Sequence, residues 1–251
     1  MSAVVLVLAS ASPARLATLR AAGIDPVVRV SAVDEDAVVA RYGVTAAEDV
    51  ALVLAKAKAE DVAAVPAEAG DVAAGDPDDD AGDLPDLVIV VGCDSVLELD
   101  GEVHGKAADP DVARERWRRM RGRSGVLHTG HWVVDTRDPQ DGGSGATLGA
   151  VSSTTVHFAR LSDAEIDAYV TTGEPLSVAG AFTIDGLGGA YVRGIEGDHH
   201  GVVGISLPLL RELLGEAGVA WHTLWRAAVR PVDRRQSGHL QSGHLQSGHL
   251  Q

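Results

Sequence analysis

The sequence predicts an α/β protein, for reasons of composition and of apolar pattern. Hydrophobic residues make up 45% of the 251 positions, which is enough to build a packed core. Aromatic residues account for only 4%, so that core has to be built from Val, Leu, Ala and Ile. Short apolar runs, together with many Val and Gly residues, favour strands and helices in layers over a helical bundle.

The first elements are predicted from their apolar runs and helix signals. Residues 4–9 form a continuous apolar run of the kind found in buried strands. Ser12 suits an N-cap and Pro13 the first helical position, so a helix is predicted from there to Gly23. A second strand is predicted at 27–33, where apolar residues alternate.

The middle of the chain predicts a helix, an insertion, a strand and a hairpin. Residues 45–65 have apolar positions at helical spacing. The segment 66–86 is rich in Ala, Gly, Asp and Pro, and we expect it to be a flexible, acidic insertion. A buried strand is predicted at 87–91, and residues 92–95 follow directly at its carboxyl end. The pair 100–101, Asp-Gly, then suits the turn of a β-hairpin.

The second half of the chain continues with helices and strands. Residues 110–120 predict a helix dense in arginine, and a capping box of Ser162 and Glu165 begins another helix. The remaining predicted elements are strands at 126–135 and 152–159 and a helix at 207–217. We expect one domain over residues 1–230, followed by a disordered tail at 231–251 that contains three Gln-Ser-Gly-His-Leu repeats.

The charge and cysteine content restrict the class of partner. A net charge of −15 disfavours binding to nucleic acid polymers and to anionic membranes, although local basic residues still allow a small anionic substrate. The single cysteine, Cys93, fits a reducing compartment. No apolar run reaches the ~20 residues that a membrane-spanning helix needs. We therefore expect a cytoplasmic protein.

Three short segments carry polar residues next to predicted strands. Segment 10–15 joins a strand to a helix, and its backbone amides together with Arg15 could bind phosphate. Segment 34–36 has three carboxylates that could hold a divalent cation. Segment 92–95 places Asp94 at the carboxyl end of a buried strand, where α/β sheets bind ligands and a carboxylate can serve as general base or metal ligand.

Each segment also has an ordinary structural explanation. An N-cap needs no phosphate, acidic residues on a surface turn are commonly only solvated, and Asp94 could simply cap the turn after its strand. Lys58, on the long helix, and Lys106, between two small residues, could likewise be surface residues. The order and spacing of these signals along the chain make the functional interpretation stronger than any one of them does.

In that order the segments resemble the motifs of the Maf family of nucleotide pyrophosphatases, over about residues 4–218. Family members carry Leu-Ala-Ser-x-Ser-Pro-x-Arg, an acidic pair, Leu-Ala-x-x-Lys-Ala, Gly-x-Asp-x and Asp-Gly-x-x-x-Gly-Lys. The matches here are residues 8–15, 34–35, 54–59, 92–95 and 100–106, and weaker ones follow at 122–130, 179–182, 197–198 and 203–204.

The resemblance implies a Maf/Ham1-like elongated fold with a central mixed sheet flanked by helices and two lobes with a cleft between them. It implies hydrolysis of a nucleoside triphosphate to the monophosphate and pyrophosphate, with Mg²⁺ or Mn²⁺ as cofactor and a possible homodimer. Asp94, Glu35 and Lys106 match catalytic positions, and Asp94 and Glu35 would hold the metal. The matches to substrate-binding and phosphate-binding positions are Ser12, Arg15 and Lys58.

At three positions implied to select the base, the chain fits neither of two family subgroups. Relatives that act on dTTP and UTP have Arg, Thr and Gln where this chain has Ala14, Ser95 and Asp185. Relatives that act on 7-methyl-GTP have Gln and Glu in place of Ser95 and Asp185. Because a carboxylate only accepts hydrogen bonds, we expect Asp185 to favour bases with donor edges over uracil and thymine. Asp185 could instead cap the turn at 186–189.

Two other functions remain open at this point. A nucleotidyltransferase also places small and basic residues after its first strand, but such enzymes usually have a glycine-rich loop where this chain has residues 10–12. A nucleotide-binding regulator of septum formation, a role linked to the family, would not require the set Glu35, Asp94 and Lys106.

Overall fold

The computed structural model describes residues 4–65 and 88–225. Its strands are β1 (Val5–Ala9), β2 (Val27–Val28), β3 (Val88–Leu99), β4 (Glu102–His104), β5 (Ser124–Asp135), β6 (Thr147–Phe158) and β7 (Val192–Glu196). Its α-helices are α1 (Pro13–Ala21), α2 (Glu35–Tyr42), α3 (Ala47–Ala63), α4 (Pro110–Met120), α5 (Asp163–Thr171), α6 (His199–Val203) and α7 (Leu207–Glu216). The predicted insertion at 66–86 and the predicted tail at 231–251 lie outside the described residues.

The strands form one mixed sheet of seven strands in the order β2-β1-β3-β5-β6-β7, with β4 paired to β3. β1 is parallel to both β2 and β3. The other pairs, from β3 to β7, are antiparallel. The predicted α/β class and central mixed sheet are therefore confirmed.

Helices cover both faces of the sheet. Successive residues of a strand point to opposite sides, and the apolar residues of β1 therefore need helices on each side to bury them. On β1, Leu6 and Leu8 pack in a core with residues of α1 and α7, whereas Val7 packs with Ala59 of α3. A separate core, built around Trp117 of α4, joins α4 and α5 to β6. The cores therefore lie on both faces of a single mixed sheet.

Helix α3 contacts the sheet at two glycines without intervening side chains. A Cβ added to Gly92 of β3 would lie 2.2 Å from the carbonyl oxygen of Ala55. One added to Gly130 of β5 would lie 2.3 Å from the carbonyl oxygen of Ala51. Any larger residue at either position would collide with the helix backbone, so these glycines bring α3, which carries Lys58, directly against the middle of β3.

Several local predictions are confirmed. Ser12 caps α1 and Pro13 opens it. The arginine-rich helix has the predicted bounds, and Ser162 and Glu165 form the predicted capping box. β3 and β4 form the predicted hairpin around 100–101. Among the described helices, none is long and apolar enough to cross a lipid bilayer.

Three strand predictions are wrong in extent. The strand predicted at 152–159 begins five residues earlier, at Thr147. The strand predicted at 27–33 covers only Val27–Val28, and Asp34 caps α2 instead, accepting a hydrogen bond from the backbone N of Ala37 at 3.0 Å. No residue of α2 is buried, so its apolar pattern is too weak to predict a helix. The strand predicted to end at Val91 continues to Leu99, because β5 pairs with it from Ile89 to Glu98.

Candidate active site

The candidate site lies where β3 continues beyond the end of β1. β1 pairs with β3 as far as Ala9 and Gly92, and β4 joins β3 only from Leu97 onward. The β3 segment between them contains Asp94 and borders the turn from β1 into α1. Asp94 is therefore within a strand, not at its end as predicted. It still lies beside the carboxyl end of β1, a position at which open α/β sheets bind ligands.

On the α3 side of the sheet, one lysine joins two carboxylates. Nζ of Lys58 lies 2.5 Å from Oδ1 of Asp94 and 2.7 Å from Oε1 of Glu35. The side chains of Lys58 and Asp94 are 12% and 11% exposed, whereas that of Glu35, at the start of α2, is 54% exposed. The structure thus brings together three of the predicted site residues, with Asp94 at the buried end and Glu35 at the open end.

The two buried members of this cluster have shifted pKa values. Burial raises the pKa of the Asp94 carboxyl above its ordinary value, and the positive charges of Lys58 and Arg15 oppose that shift. Burial alone would lower the pKa of Lys58, but attraction and hydrogen bonds from Asp94 and Glu35 raise it. Lys58 therefore keeps its charge, while Asp94 gains the basicity that a general base needs.

Asp94 uses only one of its two oxygens in this cluster. Oδ1 accepts the hydrogen bond from Lys58, whereas Oδ2 accepts none from the described residues. Oδ2 is not one of the unpartnered side-chain atoms that the described residues enclose completely. This oxygen therefore retains some solvent exposure and is open to a water molecule.

Arg15, near the start of α1, is held by three hydrogen bonds. Its Nε donates to the carbonyl oxygen of Gly204 at 2.7 Å, Nη1 to Oγ of Ser10 at 3.0 Å and Nη2 to Oγ of Ser95 at 3.2 Å. A guanidinium has five N–H donors, so two remain available. None of the carboxylates in the described residues forms an ion pair with Arg15. An oriented, unpaired guanidinium of this kind is suited to bind phosphate oxygens.

Ser12 and Ala14 lie at the same helix start. Oγ of Ser12 accepts from the backbone N of Arg15 at 3.4 Å, so its hydroxyl oxygen acts in the cap. Ala14 is half-buried in the first turn of α1. Both residues therefore adjoin Arg15 at the start of α1.

Lys106 lies outside the Asp94 cluster. β4 returns antiparallel along β3, and Lys106 follows two residues after the end of β4, where its backbone bridges to Ala179. The carbonyl oxygen of Gly105 accepts from Nη1 of Arg116 at 2.7 Å and from the backbone N of Gly180 at 3.0 Å. The side chain of Lys106 is exposed, and within the described ranges it forms no ion pair. Its backbone is thus fixed while its amine is free to contact a ligand.

Asp185 is exposed on a loop whose backbone is hydrogen-bonded to a different carboxylate, that of Glu174. Oδ1 of Asp185 accepts a hydrogen bond from the hydroxyl of Thr183. Glu174 accepts from the backbone N of Leu187 and of Gly188, both at 2.9 Å. Glu174, and not Asp185, therefore caps the turn at 186–189, and the second carboxylate oxygen of Asp185 has no hydrogen-bond partner among the described residues.

Sequence analysis did not identify Thr129, a fully buried residue of β5. Its Oγ1 lies 2.9 Å from Oγ of Ser95 and donates to the carbonyl oxygen of Gly201 at 2.8 Å. Ser95 and Thr129 face each other in the β3–β5 register. The one sequence signal was the Thr-Gly pair that ends the match at 122–130, and it says nothing about the partner of the hydroxyl.

A family model described as Maf-like protein matches residues 5–217 of this chain. The chain belongs to the Maf family. The nucleoside triphosphate pyrophosphatase of Nocardia farcinica is 54% identical over 227 residues, which cover 90% of this chain and 98% of the relative. The protein of the same name from Rhodococcus opacus is 52% identical, with 89% and 97% covered. That from Salinispora tropica is 53% identical, with 88% and 87% covered.

The candidate site is separate from a cavity of about 590 Å³ on the same molecule. That cavity lies at the opposite end of α1, where Arg20, Trp221 and Trp225 contribute to its lining, and it includes none of the site residues predicted from the Maf motifs. The candidate site and this cavity are therefore two different places on the molecule. The site consists of charged groups between β1, β3 and the starts of α1 and α2, with Asp94 at its buried end and Glu35 at its exposed end.

Proposed function

We propose that this Maf-family chain hydrolyses a nucleoside triphosphate to the nucleoside monophosphate and pyrophosphate. The observation that carries the proposal is a carboxylate of raised pKa, Asp94, with one oxygen free and with cations on both sides of its strand. Lys58 contacts Asp94 directly, and Arg15 is oriented with two N–H groups unused. The name shared by the relatives, which are about half identical over most of their length, supports the same reaction.

In this reaction a water oxygen attacks the α-phosphorus while Oδ2 of Asp94 accepts the proton that the water loses. The bond from the α-phosphorus to the bridging oxygen breaks, and pyrophosphate leaves with the electron pair. Arg15 and Lys58 stabilise the negative charge on the phosphate oxygens, and the exposed amine of Lys106 is available for the same purpose. The proton passes from Asp94 to solvent after the products leave.

A divalent cation, Mg²⁺ or Mn²⁺, fits the donor set of this site. Glu35 and Asp94 both contact Nζ of Lys58, so their carboxylates lie close together, and two carboxylates combined with substrate phosphates are a usual ligand set for Mg²⁺. Among the described residues, no three or more His, Cys, Asp and Glu side chains form a metal-binding group. The triphosphate would therefore supply the remaining ligands. The ion, when bound, would add positive charge next to the scissile phosphate.

The reaction is tested by incubating the protein with single nucleoside triphosphates, with Mg²⁺ or Mn²⁺, in ¹⁸O-labelled water. We expect the monophosphate and pyrophosphate, formed without any acceptor, with the label in the monophosphate. Label in the pyrophosphate would show that water attacks the β-phosphorus instead. Release of orthophosphate and a diphosphate, or no turnover without an acceptor, would overturn the proposal. Light scattering of the same sample tests the implied homodimer.

The choice of base extends the same proposal to Ala14 and Asp185. Ala14 lacks the guanidinium that dTTP- and UTP-specific relatives carry there, and Asp185 presents an exposed carboxylate oxygen. We expect activity that is broad or that leans toward bases with donor groups, such as guanine and cytosine. Values of kcat/KM for UTP, dTTP, CTP and GTP test this in the wild type and in Asp185→Gln. A tenfold preference for UTP and dTTP that the variant leaves unchanged would contradict it.

A further inference from the structure

The hydrogen bonds that run from Arg15 to α6 have only one possible direction. The carbonyl oxygen of Gly201 can only accept, so the hydroxyl of Thr129 must donate to it. A hydroxyl has a single hydrogen, so Thr129 can then only accept from Ser95. Ser95 has in turn used its own hydrogen and can only accept from Nη2 of Arg15. The chain of donors therefore runs from Arg15 through Ser95 and Thr129 to Gly201.

Helix α6 closes this chain into a ring around the guanidinium. Gly201 lies within α6, and Gly204 at its C-cap accepts directly from Nε of Arg15 at 2.7 Å. A Cβ on Gly204, whose φ is +122°, would lie 3.1 Å from that nitrogen, so the approach is close. Two edges of the guanidinium are thus tied to the same short helix, one directly and one through Ser95 and Thr129.

We propose that Thr129 is a positioning residue of the active site, acting on substrate through Arg15. Thr129 is fully buried and does not itself reach the ligand, but it fixes the acceptor, Ser95, that sets the plane of the guanidinium. That plane determines where the two unused N–H groups of Arg15 point. The proposal rests on the proposed function in one respect: it takes the ligand of Arg15 to be a substrate phosphate.

The direction of the chain also defines the role of Ser95. Its hydroxyl hydrogen is committed to Thr129, so Ser95 cannot donate to a nucleobase while the ring is closed. It acts as the link between Arg15 and β5, and a lone pair on its oxygen is all that it can offer a ligand. Selection of the base therefore falls to positions such as Ala14 and Asp185.

The test uses Thr129→Val, which keeps the shape and removes the hydroxyl, and Thr129→Ser, which restores the hydroxyl. We expect Thr129→Val to lower kcat/KM for the preferred triphosphate about tenfold, the scale of one hydrogen bond to a charged group. Most of the loss should fall on kcat, because Arg15 keeps its charge but loses its orientation. Thr129→Ser should recover activity to within about twofold of the wild type.

A matched control separates orientation of Arg15 from simple anchoring of the loop. Thr154 on β6 is equally buried, and its Oγ1 also bonds to the α6 region, donating to the carbonyl oxygen of Asp198 at 3.3 Å. Within the part of the chain that the structure describes, it forms no hydrogen bond to Ser95 or Arg15. Thr154→Val should therefore change kcat by less than about twofold. An equal loss from both valine variants would overturn the proposal.

A double-mutant cycle with Arg15→Ala provides the decisive readout. If Thr129 acts through Arg15, then Thr129→Val should have almost no further effect once Arg15 is removed. Additive losses would show that Thr129 acts independently and would overturn the proposal. If Thr129→Val does not fold, Ser95→Ala breaks the same chain one bond nearer to Arg15 and takes its place in the cycle.

The same variants keep the two proposals distinguishable. If the wild type hydrolyses no nucleoside triphosphate, the proposed function fails, but affinity for inorganic triphosphate measured by calorimetry still tests Thr129. We then expect weaker binding in Thr129→Val, recovery in Thr129→Ser and no coupling after Arg15→Ala. Unchanged affinity in Thr129→Val would overturn the positioning role.

Discussion

Asp94 and Asp135 are buried carboxylates on the neighbouring strands β3 and β5, yet their surroundings differ. Asp135 uses both oxygens: Arg137 donates from Nε to Oδ1 at 2.7 Å and from Nη2 to Oδ2 at 2.8 Å. Ser144 adds its backbone N and its hydroxyl, each 2.7 Å from Oδ2. Asp94 accepts from Lys58 through Oδ1 alone, as far as the described residues show.

The difference explains why only one of these carboxylates is equipped for chemistry. Burial alone would raise the pKa of Asp135, but hydrogen bonds from Arg137 and Ser144 outweigh it and hold the pKa well below the usual range. Asp94 keeps a raised pKa, and its Oδ2 accepts no hydrogen bond from the residues that the structure describes. A carboxylate with all its acceptor positions filled stabilises the fold, whereas one with unused capacity can bind water, metal or substrate.

Asp135→Asn should give the largest effect, and it should be on stability. The substitution removes one charge of a buried pair and leaves Arg137 without its counter-ion, which typically costs about 3–5 kcal/mol. We expect this loss in the free energy of unfolding measured with urea. Activity per folded molecule should stay within about twofold of the wild type, since Asp135 makes no contact with the Asp94 cluster. A change in stability below about 1 kcal/mol would remove the contrast.

Asp94→Asn should show the opposite pattern. An amide cannot accept the proton of the attacking water, so kcat should fall at least ~10²-fold, the usual contribution of a general base. The unfolding free energy should change far less than in Asp135→Asn, because within the described residues Asp94 accepts a hydrogen bond from Lys58 alone. Steady-state kinetics and urea unfolding of the two variants side by side provide the measurement. Near-normal turnover in folded Asp94→Asn would contradict the assignment.

His131 extends the comparison to pH. It lies opposite Cys93 in the sheet, its Nδ1 donates to the carbonyl oxygen of Thr129 at 3.0 Å, and its Nε2 accepts from the backbone N of Ser206 at 2.8 Å. Burial lowers the pKa of His131 to about 4. Between the ordinary pKa, about 6.5, and that value, the unfolded chain binds a proton that the folded chain does not.

The stability supplied by neutral His131 is therefore present above pH 6.5 and is lost as the pH falls toward 4. We expect this histidine to reduce the unfolding free energy by about 2 kcal/mol between pH 7 and pH 5. Urea unfolding at the two pH values measures the loss, and NMR titration of the imidazole provides the control. An imidazole that titrates near its ordinary value would disprove the explanation.

Lys58→Met should give the most subtle effect, a shift in a pH profile. Lys58 opposes the raised pKa of Asp94, so its removal should raise that pKa further. The acidic limb of the plot of kcat/KM against pH should then move to higher pH, whatever the loss in absolute rate. Lys56→Met is the matched control, since Lys56 lies on the same helix but pairs with Glu60. An unmoved limb would show that Asp94 does not control it.

Helix starts that depend on neighbouring residues are predictable from the sequence. Strand lengths that depend on pairing with a distant strand are not. The cap at Ser12 and the capping box at Ser162 depend on residues a few positions apart, and both are as predicted. The length of β3 depends on its pairing with β5, which lies far along the chain. α2 was missed because it buries no residue, so it lacks the apolar face by which a helix is predicted.

The candidate site shows the same division. Asp94, Lys58 and Arg15 were identified because charged residues stand out in short motifs. Thr129 and the carbonyl oxygen of Gly204 were not, since the first becomes a partner of Ser95 only through the β3–β5 register. The second is a backbone atom, and no residue type predicts where a backbone oxygen will bind.

The contact of α3 with Gly92 and Gly130 has a mechanical consequence. Side chains between a helix and a sheet can change rotamer and absorb a displacement, but at these two glycines the backbones touch and no such compliant layer exists. Helix and strand will therefore shift as one body, and the separation of Lys58 from Asp94 is insulated from repacking elsewhere. An engineer who wishes to change base selection can vary the loop around Asp185 and leave this rigid pair untouched.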